Sequence, residues 1–195
     1  MKIYGKSIQL NQLFFLVIYY GFAQYLPVSN TFWGKFTCSK IIRRFCCKHL
    51  FLSMGKNVNI ERKAQFGSGL GIEIGNNSGL GIRCVVPSDI KIGNDVMMGP
   101  DCHIFGQNHC FDRIDIPMWK QGSTGRENRT VIDDDVWIGQ YVTFTVGRHV
   151  SKGTVIGSCT LLCKDFPEYS IIGGNPSRLI KSRIEADEKT YSNFI

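Results

Sequence analysis

Every sixth residue from Ile74 is apolar, with Ile74, Leu80, Val86, Ile92, Met98 and Ile104 standing in one phase. A second series, Ile132, Ile138, Phe144, Val150, Ile156 and Leu162, keeps the interval, and a looser one, Ile60, Phe66 and Ile72, precedes both. The residue after the apolar position is small or turn-forming in most hexads, as in Gly75, Gly81, Gly93, Gly99, Gly139 and Gly157. The fourth residue after it is small or β-branched, as in Ser78, Cys84, Ile90, Val96 and Cys102. An interval of six fits neither the 3.6-residue helix nor the heptad. Three hexads form a unit of about 18 residues that carries the chain once around a triangular prism, each side one short strand. Inward side chains then stack on their equivalents about 4.8 Å away in the next coil, and the small residue permits the corner. The series predict about five coils. The period does not fix handedness, because hexad prisms are known to break the right-handed rule of ordinary crossovers.

The phase fails once. Ile104 to Ile132 is 28 residues, not a multiple of six, so a loop over 105–130 is expected to leave the prism. Its sequence, FGQNHCFDRIDIPMWKQGSTGRENR up to Arg129, is polar, charged and glycine-bearing. Excursions of that length from a regular scaffold usually carry function.

The chain has 195 residues, 43% hydrophobic, enough for one sizeable core. Three segments are expected: a helical leader over 1–55, the prism over 56–183 and a short tail over 184–195. The net charge of +7 is unevenly spread. Residues 1–60 hold eight bases (Lys2, Lys6, Lys35, Lys40, Arg43, Arg44, Lys48, Lys56) and no acid, leaving 15 of the 23 bases against all 16 acids in the remainder. A basic, aromatic-rich leader suits an anionic lipid face better than nucleic acid. A solvated helix pair with its bases turned outward explains it equally well. The apolar run Leu13 to Ala23 is shorter than the roughly 20 residues of a membrane span. Lys2 and Lys6 before it, with Gly21 and Ala23 at its end, also resemble a signal peptide. The eight cysteines contain no CxxC pair and no zinc spacing, and read as reduced thiols used for packing.

Three further motifs carry a resemblance: GQNHCFDR in the loop, DDDVWIGQYV where the prism resumes, and the exit segment CKDFPEYSIIGGNPSRLIKSR. From about residue 56 to 183 the chain resembles the hexapeptide-repeat O-acetyltransferases, which include galactoside and maltose acetyltransferases and bacterial polysaccharide O-acetyltransferases. The leader lies outside the match. The resemblance implies an all-β chain built on a left-handed parallel β-helix, with acetyl-CoA as acyl donor, no metal, and a homotrimer whose active site lies between subunits. A cytosolic donor argues against the signal-peptide reading and for a cytoplasmic enzyme, at the inner face of the membrane if the leader binds lipid.

Acyl transfer to an alcohol needs a base beside the hydroxyl, and a histidine side chain titrates in the right range. The resemblance assigns that role to His109, with direct attack on the thioester and no covalent enzyme intermediate. Cys110 beside it is filler rather than nucleophile. Trp137 corresponds to the aromatic that covers the pantetheine arm, and the backbone amides of Gln140 and Ser158 to those that bond it. Lys164, Asn175, Arg178 and Lys181, with Arg183, fall in the segment that holds the nucleotide and its phosphates. Arg83, Asp101 and Asp112 are candidate acceptor contacts, and Asp112 is also a candidate orienter of the imidazole. His103 reads as a wall residue and Asp133-Asp134-Asp135 as a solvated turn.

The expected acceptor is a sugar hydroxyl of a polysaccharide precursor. Serine and amine acceptors remain open, since the same base serves them, and so does a non-catalytic prism. A zinc-dependent carbonic anhydrase on this repeat needs two histidines about 35 residues apart and a third about five further on. The intervals from His103 to His109 and on to His149 do not match.

Overall fold

The structure, a computed structural model, describes residues 2–3, 6–124 and 129–184. Positions 185–195 of the expected tail and 125–128 of the expected loop lie outside the described residues. Two-residue strands wind into a parallel β-helix, left-handed as the resemblance implied. The first face stacks Ser53–Met54, Glu73–Ile74, Lys91–Ile92, Val131–Ile132 and His149–Val150. The second stacks Asn59–Ile60, Gly79–Leu80, Met97–Met98, Trp137–Ile138 and Val155–Ile156, and is closed by Ser170–Gly173 with the antiparallel Arg178–Ser182. The third holds Gln65, Val85, His103–Ile104, Thr143–Phe144 and Leu161–Leu162.

Register explains the core. Ile92 lies beside Ile74 and Ile132, and Ile138 beside Met98 and Ile156, so each apolar hexad residue stacks on the next. All are buried except Met98, which is half-buried against the same core. Each such side chain contributes about 1.5–3 kcal/mol of burial. Ile72, which the sequence puts in phase with Ile60 and Phe66, belongs instead to a companion inward row two residues ahead, with Ser78, Cys84 and Ile90. The slip arises at Gly67 and Gly69, whose positive φ of 60° and 69° accommodates two extra residues at that corner.

The repeated glycines have a different cause from the one expected. Gly75, Gly93 and Gly139 are not in the left-handed region; that conformation falls two residues later, at Asn77, Asp95 and Tyr141. What requires glycine is the next coil. A Cβ on Gly75 would sit 2.5 Å from the Gly93 carbonyl oxygen, and one on Gly139 2.6 Å from the Ser158 nitrogen.

The leader forms α1 (Leu10–Gly21), the short α2 (Phe32–Phe36) and α3 (Ser39–Leu50). Tyr19 and Tyr20 of α1 donate to the carbonyls of Ala64 and Gly67, each at 2.9 Å, and their rings pack on Phe66. Burial pushes the Tyr20 phenol up to about 12. Arg43 of α3 is fully buried, so it belongs to the interior and not to the basic surface expected of the leader. It donates to the carbonyls of Ile60 (2.6 Å), Leu26 (3.0 Å) and Pro27 (3.1 Å), to Ser29 Oγ (2.8 Å) and to Glu61 Oε2 (3.4 Å). Burial also draws its pKa down, yet a guanidinium stays protonated. Burial works to raise the Glu61 pKa, but hydrogen bonds from Asn59, Ser29 and Arg62 outweigh it and hold the carboxyl below its ordinary value. Its contribution is therefore present above the usual carboxylate range and is lost as pH falls through the lowered value. Arg43→Ala strands Glu61 and four acceptors, so it should cost about 3–5 kcal/mol and release the leader. Limited proteolysis should then cut between α3 and the first coil, with the prism left intact.

Candidate active site

The extruded segment leaves after Ile104 and returns at Val131, at the edge between the third and first faces. Its base is a hairpin. His109 bridges antiparallel to Ser123, Cys110 N donates to the Gly122 carbonyl (3.1 Å) and Thr124 N to that of Asn108 (2.8 Å). Gln121 knots the tip, accepting from Arg113 N (3.1 Å) and donating to the Arg113 and Ile116 carbonyls (2.7 and 3.1 Å). Arg129 fastens the returning end to Glu73 Oε1 (2.6 Å), to the Gly71 carbonyl (3.0 Å) and to the Asp89 carbonyl. His109 is exposed at the root of this hairpin. Among the described residues, neither Asp112 nor any other carboxylate is hydrogen-bonded to its imidazole.

The prism edges share one backbone and differ in what covers it. Between the first and second faces, Lys56 N donates to Asn76 Oδ1 (2.8 Å), Asn76 N to Asn94 Oδ1 (2.8 Å) and Asn94 N to Asp134 Oδ1 (2.6 Å). Each amide is capped by a side chain one coil up, and the Asn94 N–H holds the Asp134 carboxyl below its ordinary range. The acidic triplet is thus more than a solvated turn. Asp133 Oδ2 lies 2.9 Å from His149 Nε2, and Asp135 Oδ2 accepts from Arg183 at 3.1 Å. Between the second and third faces, the equivalent amides belong to Ile82, Gln140 and Ser158, and among the described residues none of the three has a hydrogen-bond partner. This edge runs along Gly81, Gly99, Gly139 and Gly157, so acceptors from outside can reach its donors.

Trp137 stands on the second face just before that open edge, 54% exposed, between Met97 and Val155 in register. Arg178 and Lys181 lie on the closing strand of the same face, opposite Gly173 and Ile171. Asn175 is in the exposed turn between those strands. Lys164 is set apart from them, on the edge from which the loop departs, its Nζ 5.3 Å from the Phe166 ring. Arg183 is engaged by Asp135 and by the Gly153 carbonyl (2.6 Å). Arg83 and Asp101 are paired with each other, both contacts 2.6 Å. His103 faces outward beside Phe105, ring centroids 4.8 Å apart. Cys84 and Cys102 are buried, and the adjoining thiol together with burial pushes Cys84 up, so Cys84 is not poised as a nucleophile. No group of three or more His, Cys, Asp or Glu among the described residues could hold a metal ion.

Two features escaped the sequence. Met97 flanks Trp137 only because the loop is removed from the repeat, and with Tyr141 it makes an exposed apolar stripe. The second is the loop surface, where Phe111, Ile114, Met118 and Trp119 are each more than 60% exposed. In a triangle the edge that releases the loop is opposite the second face. In one chain, therefore, the hairpin that carries His109 is rooted on the edge opposite the face of Trp137.

No protein-family profile matches the chain. It is 29% identical over 150 residues to the galactoside O-acetyltransferase of Lactococcus lactis, covering 75% of this chain and 70% of that one. It is 36% identical over 95 residues to a probable acetyltransferase of Mycobacterium tuberculosis, 49% of this chain but only 31% of that relative's length. Among solved structures, a hexapeptide-repeat acetyltransferase of Vibrio cholerae complexed with acetyl-CoA superposes with a TM-score of 0.65 at 25% identity, covering 72% of this chain and 75% of that one. Gly139→Ala would drive a methyl group into the open edge. It should lower the denaturant midpoint by about 1–3 kcal/mol equivalent.

Proposed function

Because the chain belongs to the hexapeptide-repeat acetyltransferases, we propose that it moves an acetyl group from acetyl-CoA to a hydroxyl of a sugar or polysaccharide precursor, with His109 as general base. The observation that carries this reading is the contrast between the two edges. A side-chain ladder caps the amides of one, whereas those of Gln140 and Ser158, beside Trp137, are left open. A pantetheine arm brings the carbonyl acceptors such donors lack and an aliphatic body for the indole to cover. Arg178 and Lys181 further along the same face suit the phosphates, with Asn175 at the turn between them. Lys164 fits that role less well, since it stands on a different edge.

Acetyl-CoA supplies the acetyl group activated as a thioester. His109 takes the acceptor's hydroxyl proton as that oxygen bonds to the carbonyl carbon; when the carbon–sulfur bond breaks, the imidazolium returns the proton to the departing thiolate. A preorganised backbone donor meets the charge on the carbonyl oxygen. The Arg83–Asp101 pair leaves Asp112 as the acceptor contact with no ion pair among the described residues. The opposed placement of the hairpin root and Trp137 supports a homotrimer in which the loop of one copy reaches the second face of its neighbour. The exposed apolar side chains of the loop and of the Met97–Trp137 stripe would be covered there. An anionic lipid surface reached through the leader, at the inner face of the membrane, completes the proposed partners.

His109→Ala should lower kcat about 100-fold or more without moving the thermal midpoint, measured with acetyl-CoA and a glycan panel. Equal transfer by the two proteins would remove the base. Trp137→Ala should instead act mainly on KM for acetyl-CoA. At acetyl-CoA well below the raised KM, where Trp137→Ala is also nearly inactive, mixing it with His109→Ala subunits should restore activity if the site is shared between copies. A mixture as inactive as its parts would place the whole site within one chain.

A further inference from the structure

The leader carries bases that the acyl-transfer site does not use; of these, Lys40 donates to Asn57 Oδ1 of the first coil at 3.1 Å. On α3, Arg43, Cys46, Cys47 and Leu50 face the prism and are buried. The opposite side presents Lys40, Arg44 and Lys48, four residues apart and so one above the next, with Ile41 and Phe45 beside them, 66% and 55% exposed. These five side chains and Asn57 line a cavity of about 270 Å³. Arg44 Nε is buried in the protein with no hydrogen-bond partner, and Arg44 and Lys48 form no ion pair among the described residues. A buried guanidinium donor left open costs free energy that an anion's oxygen would recover.

The apolar rim continues onto α1. Phe15 meets Phe45 at 5.7 Å and Phe14 at 5.4 Å, joining the α3 stripe to Leu10, Phe14 and Val17, which are 84%, 60% and 65% exposed. Three cations around a cavity that opens beside exposed aliphatic and aromatic side chains match a phosphate headgroup with its acyl chains below. With no acid anywhere in residues 1–60, nothing on the leader opposes an anionic surface.

We propose that the α1–α3 layer docks on an anionic phospholipid surface, with one headgroup phosphate held by Lys40, Arg44 and Lys48. This gives the lipid contact suggested above a defined site, and it does not depend on the acyl-transfer chemistry. The test is co-flotation of the full chain, without acetyl-CoA, on vesicles of phosphatidylcholine alone or mixed with phosphatidylglycerol. Binding to the mixed vesicles only is expected, falling about tenfold or more in Arg44→Glu/Lys48→Glu. Ile41→Ser should weaken it too. Lys91→Glu/Lys152→Glu, with the same change in net charge elsewhere on the prism, should bind as wild type, and all variants should share the wild-type thermal midpoint. Equal binding to both vesicles, no binding to either, or equal loss in the Lys91/Lys152 variant would overturn the proposal. Release by millimolar inorganic phosphate would reassign the cavity to a soluble anion and overturn it as well. Transfer activity read separately keeps this outcome apart from that of the catalytic reading.

Discussion

The close stacking of successive coils is the constraint on which the rest of the molecule depends. Strands about 4.8 Å apart leave no room for a side chain at the point where each leaves its face, so glycine recurs at 75, 81, 93, 99 and 139. That approach brings the inward residues into unbroken columns and exposes a row of backbone amides along each edge. The edges are equivalent as backbone. Only their side chains make one a sealed ladder of Asn76, Asn94 and Asp134 and leave another open at Gln140 and Ser158.

A regular prism of this kind has little freedom to shape a pocket, and the chain departs from it in two places. The loop rooted at Ile104 places a histidine outside the columns on a hairpin fastened by Arg129. The leader covers the first coil. Its attachment is polar at the centre, where Arg43 satisfies five acceptors at once, and aromatic around it, where Tyr19 and Tyr20 meet Phe66. A buried guanidinium is an expensive way to join two apolar surfaces, and it fixes one geometry, since displacement of α3 would strand the charge. Held in that way, the outer side of α3 keeps its bases and apolar side chains together around one cavity beside Asn57 of the first coil.

Charge was the least reliable guide in the sequence. Arg43 and Arg44 are neighbours in the chain and opposite in fate, one wholly interior and one on an exposed groove, because successive helical residues point about 100° apart. Arg83 and Asp101, 18 residues apart, meet because one turn of the prism brings them to the same corner one coil apart, and so neutralise each other.

The amino-acid sequence by itself determined the coil: a period of six over two long series admits one architecture, and the single loss of phase marks where the chain leaves it. It also determined which residues carry the family resemblance, because those motifs are local. What only the tertiary structure decided is which residues share a face or an edge. Met97 beside Trp137, the capped and uncapped amides, and the separation of Lys164 from Lys181 all depend on positions one turn or more apart, with an excursion intervening between the third and fourth coils. The reason is physical: inward-facing positions are constrained by packing and leave a periodic trace, whereas outward-facing ones are related only through the stacking of coils and leave none.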